Sequence, residues 1–411
     1  MESILPLALL LVVAVLVGMR RLGRVHLPPW GVALGGALLA VATGIVPPSQ
    51  ALHAVQWDVL ATLACLFAIG AGIGQSRLAD DLLDRLDRVP LSTATWGGLL
   101  CGISLLSALV TNDAVAVVGT PLLLRFAERR GRSPVPALLL LMAGVTTGSV
   151  PSPLGSPQNL LVASSGSLSD PFVTFLVWLG PPTVVSLLLV LLLFRAVSFH
   201  LERLPRVMLP PVQPEADGRS ASSLPAVASV LLVALLVGLE LAFGLLGRSL
   251  PLPFSGIALA GAAPLLLGSK PLRLIRAIDW RTLLLFVGLF VLTDGVRSSG
   301  LVEGSLDAAT GSPLALITLA VLGSQVVSNV PLVAIALPFV EPYGTQAMMA
   351  LVAGSTIAGH LTPIGAASNL IVLEAAARRG VGIPLRIFVG FGLPLVLVQG
   401  LCYWTWFVVI G

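Results

Sequence analysis

The sequence predicts an all-α polytopic membrane protein built on an inverted-topology repeat, each half carrying five spans, one re-entrant hairpin and one broken helix. Three observations support this: an apolar composition, a set of polar motifs that occurs twice, and a lopsided distribution of basic residues. Of 411 residues, 56% are hydrophobic and 10% charged, with a mean hydropathy of +1.00, a balance that excludes a soluble domain. The first motif, Ser107-Ala108-Leu109-Val110-Thr111-Asn112-Asp113, returns as Ser324-Gln325-Val326-Val327-Ser328-Asn329-Val330, with Pro121 and Pro338 at the same distance downstream. The second, Gly144-x-Thr146 leading to Pro153-x-Gly155-Ser156-x-x-Asn159-Leu160, returns as Gly354-x-Thr356 leading to Pro363-x-Gly365-Ala366-x-x-Asn369-Leu370. A duplicated unit in an apolar chain is a hallmark of secondary transporters.

Ten apolar segments approach the ~20 residues that cross the hydrocarbon: 3–19, 28–47, 56–76, 134–163, 171–196, 224–247, 252–269, 281–299, 347–374 and 385–410. With both termini outside, every Lys and Arg of the 23 except Arg248 and Arg297 falls on the cytoplasmic side, as the positive-inside rule demands. That placement requires 91–128 and 312–346, which carry the Asn motifs, to enter and leave on one side as hairpins. Residues 1–196 then form a first unit (hairpin 91–128, broken helix 134–163) and 224–411 an inverted second (hairpin 312–346, broken helix 347–374). The segment 197–223, with Pro205, Pro210, Pro211 and Pro214, reads as a cytoplasmic linker. Leu66-Phe67 with Gly72 and Leu78 matches Leu289-Phe290 with Gly295 and Leu301, a further echo. Acidic Glu2 before the first span and Arg20-Arg21 after it reverse the charge order of a cleaved leader.

The formal charge of +4 comes from basic residues scattered between apolar runs, so no nucleic-acid partner is expected. Cys65, Cys101 and Cys402 lie in apolar runs without CxxC spacing, which indicates neither a disulfide framework nor a thiolate metal site. No HExxH or GxSxG motif occurs, and the polar groups repeat instead of gathering into one acid–base–nucleophile set, which weighs against an intramembrane enzyme.

The chemistry falls in four short breaks. A chain that reverses inside the membrane leaves the first N–H groups of the returning helix unpaired, and Thr111, Asn112, Asp113, Ser328 and Asn329 are residue types that cap such an end. The Pro- and Gly-rich stretches around Gly155 and Gly365 interrupt spans 134–163 and 347–374, exposing carbonyls for a cation and a half-helix N-terminus for an anion. Substrate is therefore expected at Thr111, Asn112, Ser328 and Asn329, with Ser156, Asn159, Thr362 and Asn369 forming the breaks around it. Asp113, Gly155, Gly365 and His360 are the candidates for coupling to a proton or to sodium, with Asn112, Asp113 and Gly155 as the candidate sodium site; no other metal or cofactor is expected. Asp113 stands out because a carboxylate at a re-entrant tip is costly. His360 can titrate near neutral pH, Glu240 faces the bundle or the interface, and Asp58, Asp294 and Arg297 lie at span ends, where snorkelling accounts for them.

The Thr-Asn-Asp and Ser-Asn-Val tips, each followed by a broken helix with Pro-x-Gly and Asn-Leu, resemble the ion transporter superfamily. That group includes arsenite efflux pumps, citrate and dicarboxylate/sodium symporters and a class of sodium/proton antiporters. The likeness covers nearly the whole chain and is nearest the bacterial anion transporters beside the arsenite-pump branch. It implies a homodimer in the inner membrane whose scaffold carries two transport domains that move as elevators. The dicarboxylate branch has Ser-Asn-Thr at both tips; Asp113 and Val330 depart from it at the third place, which argues against a dicarboxylate and two symmetric sodium sites. The expected function is ion-coupled secondary transport of a small anion or oxyanion, with arsenite or antimonite efflux and sodium/proton antiport as alternatives.

Overall fold

The computed structural model describes residues 4–19, 21–22, 25–201, 222–248, 250, 252–268, 271–299 and 312–411; most of the expected linker, 202–221, lies outside them. The first half contains α1 Leu5–Met19, α2 Pro29–Ala42, α3 Pro48–Ala54, α4 Trp57–Gln75, α5 Leu78–Asp87, α6 Thr93–Val110, α7 Asn112–Arg129, α8 Val135–Ser149, α9 Pro157–Ala163 and α10 Pro171–Leu201. The second contains α11 Leu224–Leu245, α12 Phe254–Gly268, α13 Pro271–Ala277, α14 Trp280–Ser298, α15 Pro313–Val327, α16 Asn329–Val340, α17 Thr345–Ile357, α18 Ala367–Ala377 and α19 Leu385–Ile410. A two-residue-per-strand hairpin, β1 Arg21–Leu22 with β2 Val25–His26, joins α1 to α2.

Local sequence explains most boundaries. Ser92 caps α6 through a capping box with Thr95, Asp279 caps α14 at Thr282 N (3.2 Å), and Ser312 caps α15. Proline opens α2, α3, α9 and α15 at the first helical position, where its missing N–H costs nothing. Every residue of α8 is buried, as an all-round apolar helix requires. Three short helices were not expected. In α5, Leu78, Leu82 and Leu86 recur at helical spacing, and so do Asp80, Asp84 and Asp87. Its carboxylates meet Arg125 (Asp80, 2.6 Å) and Arg129 (Asp84 and Asp87, both 2.8 Å), while Arg130 donates to the carbonyls of Leu86 and Val89. Among the described residues, five helices, α4, α6, α10, α11 and α19, are long and apolar enough to cross a membrane by length and composition.

Packing partners exchange between the halves. Helix α2 lies on α14 as α12 lies on α4; α6 packs on α8 as α15 packs on α17; α7 lies on α18 as α16 lies on α9; and α10 meets α19. One apolar core joins α1, α2 and α4 to α11, α12 and α14. A second surrounds α8 with α6, α7 and α19, and a third surrounds α17 with α15, α10 and α9. At the register set by the two Leu-Phe pairs, Asp58 of α4 matches Arg281 of α14. Asp58 Oδ1 accepts hydrogen bonds from the backbone N–H (3.3 Å) and hydroxyl of Ser255 at the start of α12.

The α10–α19 contact is secured by one buried polar pair, Thr183 Oγ1 to the Tyr403 hydroxyl at 2.7 Å, both nearly inaccessible. Tyr403→Phe leaves the Thr183 hydroxyl without this partner and should cost about 1–2 kcal/mol, read as a lower melting temperature of the detergent-solubilised protein. An unchanged melting temperature would show the pair to be energetically neutral.

Candidate functional site

The two tips share a backbone conformation that their residue types resist. Thr111 has φ +98° and Ser328 φ +69°, and among the described residues these are the only non-glycine positions with positive φ. A β-branched residue there is an outlier, and each such strained residue costs about 1–3 kcal/mol. The geometry turns the chain in a single residue, so α7 and α16 start at once with Asn112 and Asn329. Thr111 Oγ1 caps Ala114 N at 3.3 Å, Asn112 Oδ1 accepts Asp113 N at 2.8 Å, and Asn329 Oδ1 accepts Val330 N at 2.9 Å. No hydrogen bond ties the Nδ2 group of Asn112 or Asn329 to another described residue.

Each tip is bound to the break of its own half. Asn112 N donates to the Gly155 carbonyl at 2.8 Å, and Gln325, just before the second tip, donates to Ala358 O at 3.1 Å and accepts from Thr362 Oγ1 at 2.6 Å. Gly155 and Gly365 are required there, since a Cβ would overlap the carbonyl oxygens of Ser149 and Ala358. The other Asn pair braces the breaks. Asn159 Nδ2 donates to the carbonyls of Ser149 (2.9 Å), Val150 (3.3 Å) and Ser152 (2.9 Å), and Asn369 Nδ2 to Gly359 O (2.5 Å). Ser156 caps α9 at Asn159 N. Asn159 also accepts from Thr356 Oγ1 at 3.4 Å, so the two breaks touch.

A cavity of about 350 Å³ lies against this junction. Asp113 reaches it from the first tip, Ser328 and Asn329 from the second, and Pro157 and Ala367 from the starts of the half-helices α9 and α18. The start of α14 supplies Asp279, Arg281 and Thr282 to the same wall. The first turns of α7, α16 and α18 thus all border the cavity, each offering the partial positive charge of a helix N-terminus. Two carboxylates and one guanidinium join them. Of the expected residues, Asp113, Ser328 and Asn329 border the cavity. Thr111, Asn112, Gly155, Ser156 and Asn159 form the layer behind it on one side, with Thr362, Gly365 and Asn369 on the other. Asn112, Asp113 and Gly155, the residues expected to hold sodium, are linked by two hydrogen bonds, from Asn112 N to the Gly155 carbonyl and from Asp113 N to Asn112 Oδ1. His360 sits away from the cavity, its Nε2 3.1 Å from Thr147 Oγ1, which in turn accepts from Gln399 Nε2 at 3.2 Å.

Asp279, Arg281 and Thr282 were missed. In sequence, Arg281 counts as one more cytoplasmic cation at a span end, and only the fold brings that end to the second tip. Gln325 and Gln399 were equally inconspicuous in apolar runs.

The fold and site define a membrane transporter. The citrate transporter family model matches residues 9–346, so the chain belongs to that family, whose members and relatives are transporters and not enzymes. It is 25% identical over 418 residues to an uncharacterized transporter of Synechocystis sp., covering 89% of both chains. It is 25% identical over 366 residues to inner membrane protein YbiR of Escherichia coli (87% of this chain, 89% of that one) and over 452 residues to silicon efflux transporter LSI3 of Oryza sativa subsp. japonica (89% of both). The fold is similar to that of the Neisseria gonorrhoeae MtrF structure, with a TM-score of 0.57, 14% identity, and 98% and 94% coverage. It is also similar to the Alcanivorax borkumensis YdaH transporter, with a TM-score of 0.53, 19% identity, and 99% and 97% coverage.

The geometry separates the two Asn pairs by cost. Asn159→Ala strips three buried carbonyls of their donor and should destabilise by about 3 kcal/mol. Asn112→Ala should change stability by no more than about 1 kcal/mol while abolishing transport. Thermal unfolding and flux measured on the same preparations decide the matter; equal melting losses for both variants would contradict it.

Proposed function

We propose that the chain is an ion-coupled secondary active transporter that carries a small anion or oxyanion across a bacterial-type inner membrane. The observation that carries this reading is the cavity bordered by the first turns of α7, α16 and α18 with Arg281 on its wall. Converging helix N-termini and a guanidinium favour negative charge without a dedicated metal. Asn329 and Ser328, on the cavity wall, and Asn112 and Thr111, in the layer behind it, are the residues that hold the substrate between the tips.

The exchanged packing partners of the two halves support an inverted repeat in which both termini lie outside and the hairpins enter from opposite faces. The apolar core around α1, α2, α4, α11, α12 and α14, on which Ala114 of α7, Leu160 of α9 and Ala334 of α16 also pack, and the further cores around α8 and α17 support an elevator in which the second group moves against the first. The homodimer comes from the resemblance alone. In this topology Arg281 faces the cytoplasm, so the cavity is the inward-facing site, and Asp58, hydrogen-bonded to Ser255, stands at the matching outer position. Asp113 is the coupling group. It sits on the cavity wall, one residue from the tip that must move, and serves a proton or a sodium ion held with Asn112 and Gly155.

Efflux of an oxyacid is the second reading. It is favoured by Asp113 and Asp279 sharing the cavity with a single guanidinium, and by the likeness to a silicon efflux transporter.

Melting of the purified protein against citrate, dicarboxylates, sulfate, phosphate and arsenite, with and without sodium, identifies the substrate, because a ligand that binds only the folded state raises its stability. A sulfate, phosphate or carboxylate anion should stabilise wild type and lose most of that effect in Arg281→Ala; stabilisation by arsenite alone would favour the second reading. Asp113→Asn should abolish gradient-driven flux in proteoliposomes and keep substrate exchange. Undiminished concentrative flux would remove Asp113 from coupling. Cysteines beside Arg130 and Pro342 should be labelled from opposite faces; labelling from one face would end the inverted topology.

A further inference from the structure

Away from the transport cavity, the first hairpin leans on a second hollow. A cavity of about 600 Å³ lies between α4, α5, α6 and α7, walled by Leu78, Leu82 and Leu86 of α5, Gly102 of α6 and Val118 and Leu122 of α7. Its size is that of a ligand site, roughly 300–1,000 Å³, yet its wall is almost wholly apolar, so a hydrated solute has no reason to enter. Apolar walls of this kind stay dry or take an apolar guest. In a bilayer the guest at hand is an acyl chain.

The hollow is not closed by hydrocarbon at both ends. At the N-terminus of α6 it meets a smaller cavity of about 240 Å³, and Ser92 belongs to both. The smaller one is bordered by Thr93, Trp96, Arg132, Arg195 and Ser198. Here the charges are arranged for an anion. Arg132 from the α7–α8 loop and Arg195 near the end of α10 border this cavity together. Planar guanidinium groups bind phosphate oxygens in pairs, and tryptophan at this level suits the membrane interface.

We propose that the two cavities form one binding site for an anionic phospholipid. Its phosphate lies between Arg132 and Arg195, and one acyl chain fills the hollow between α5 and the α6–α7 hairpin. The lipid then becomes part of the mounting of the tip that bears Thr111, Asn112 and Asp113. This site is independent of the transported substrate and of the direction of transport.

Binding is read directly by native mass spectrometry of delipidated protein with phosphatidylglycerol or phosphatidylcholine of identical chains, alongside melting curves with the same lipids and with inorganic phosphate. Wild type should retain phosphatidylglycerol at least tenfold better than phosphatidylcholine and should gain thermal stability from it, while phosphate alone has no effect. The pair Arg132→Ala and Arg195→Ala should erase the preference for the anionic lipid. A Cβ at Gly102 or Gly98 meets no atom within 4 Å, so Gly102→Leu or Gly98→Leu fills the hollow without a clash and should lower retention of both lipids at unchanged fold. Equal retention in all variants would overturn the site. Stabilisation by inorganic phosphate equal to that by the lipid would show a free-anion pocket instead. A change in dimer content without loss of lipid, on Gly102→Leu, would show that a second copy of the chain occupies the hollow.

Discussion

Backbone N–H and C=O groups released from helical pairing inside a membrane find no water, and the architecture is organised around meeting that demand at four places. Two are met by a one-residue reversal, with Thr111 and Ser328 held at positive φ so that the next helix starts immediately. Two are met by an asparagine folded back over the carbonyls of its own break, Asn159 over Ser149, Val150 and Ser152, and Asn369 over Gly359. Each unpaired group would cost several kcal/mol in hydrocarbon, more than the strain at the tips. The glycines follow from the same demand, since only an absent side chain lets Gly155 approach the Ser149 carbonyl.

Once these breaks exist, helix ends come to lie in the interior, where their partial charges are poorly screened. A surface helix end contributes typically 0.3–1 kcal/mol toward a nearby charge and up to ~2 kcal/mol when partly buried. The ends of α7, α16 and α18, with the starts of α9 and α14 beside them, give the cavity a positive character that no single residue of the tips supplies. Asp113 and Asp279 oppose it and Arg281 adds to it, so the net field is the difference of comparable terms. Altering any one of these three side chains therefore alters the sign balance of the whole cavity.

Much of this was legible in sequence. The duplicated motifs gave the tips at Thr111 and Ser328 and the breaks at Gly155 and Gly365, because a break in hydrocarbon needs Asn, Ser, Thr, Gly and Pro and nothing else in an apolar chain explains their repetition. What stayed hidden depended on tertiary placement. Asn159 and Asn112 are the same residue type in equally repeated motifs, yet one braces carbonyls and the other stands at a tip; spacing does not distinguish them. Arg281 was read as a topology signal, since a cation at a span end has a sufficient reason to be there. Helix α5 was hidden in a polar stretch because its acidic stripe gains meaning only opposite Arg125 and Arg129.

The matching positions of Asp58 and Arg281 carry a further consequence. In the proposed inverted topology these two positions lie on opposite faces, a carboxylate on one and a guanidinium with Asp279 beside it on the other. For a charged cargo, a long-range field of this kind changes encounter rates by an order of magnitude or more and fades as ionic strength rises. The imposed gradients alone settle the net direction of movement. Under that reading the side chains at each face settle how readily it loads, and Asp279 beside Arg281 offsets part of the pull of that guanidinium on an anion. Under that reading, an architecture with matching halves loads unequally from its two faces.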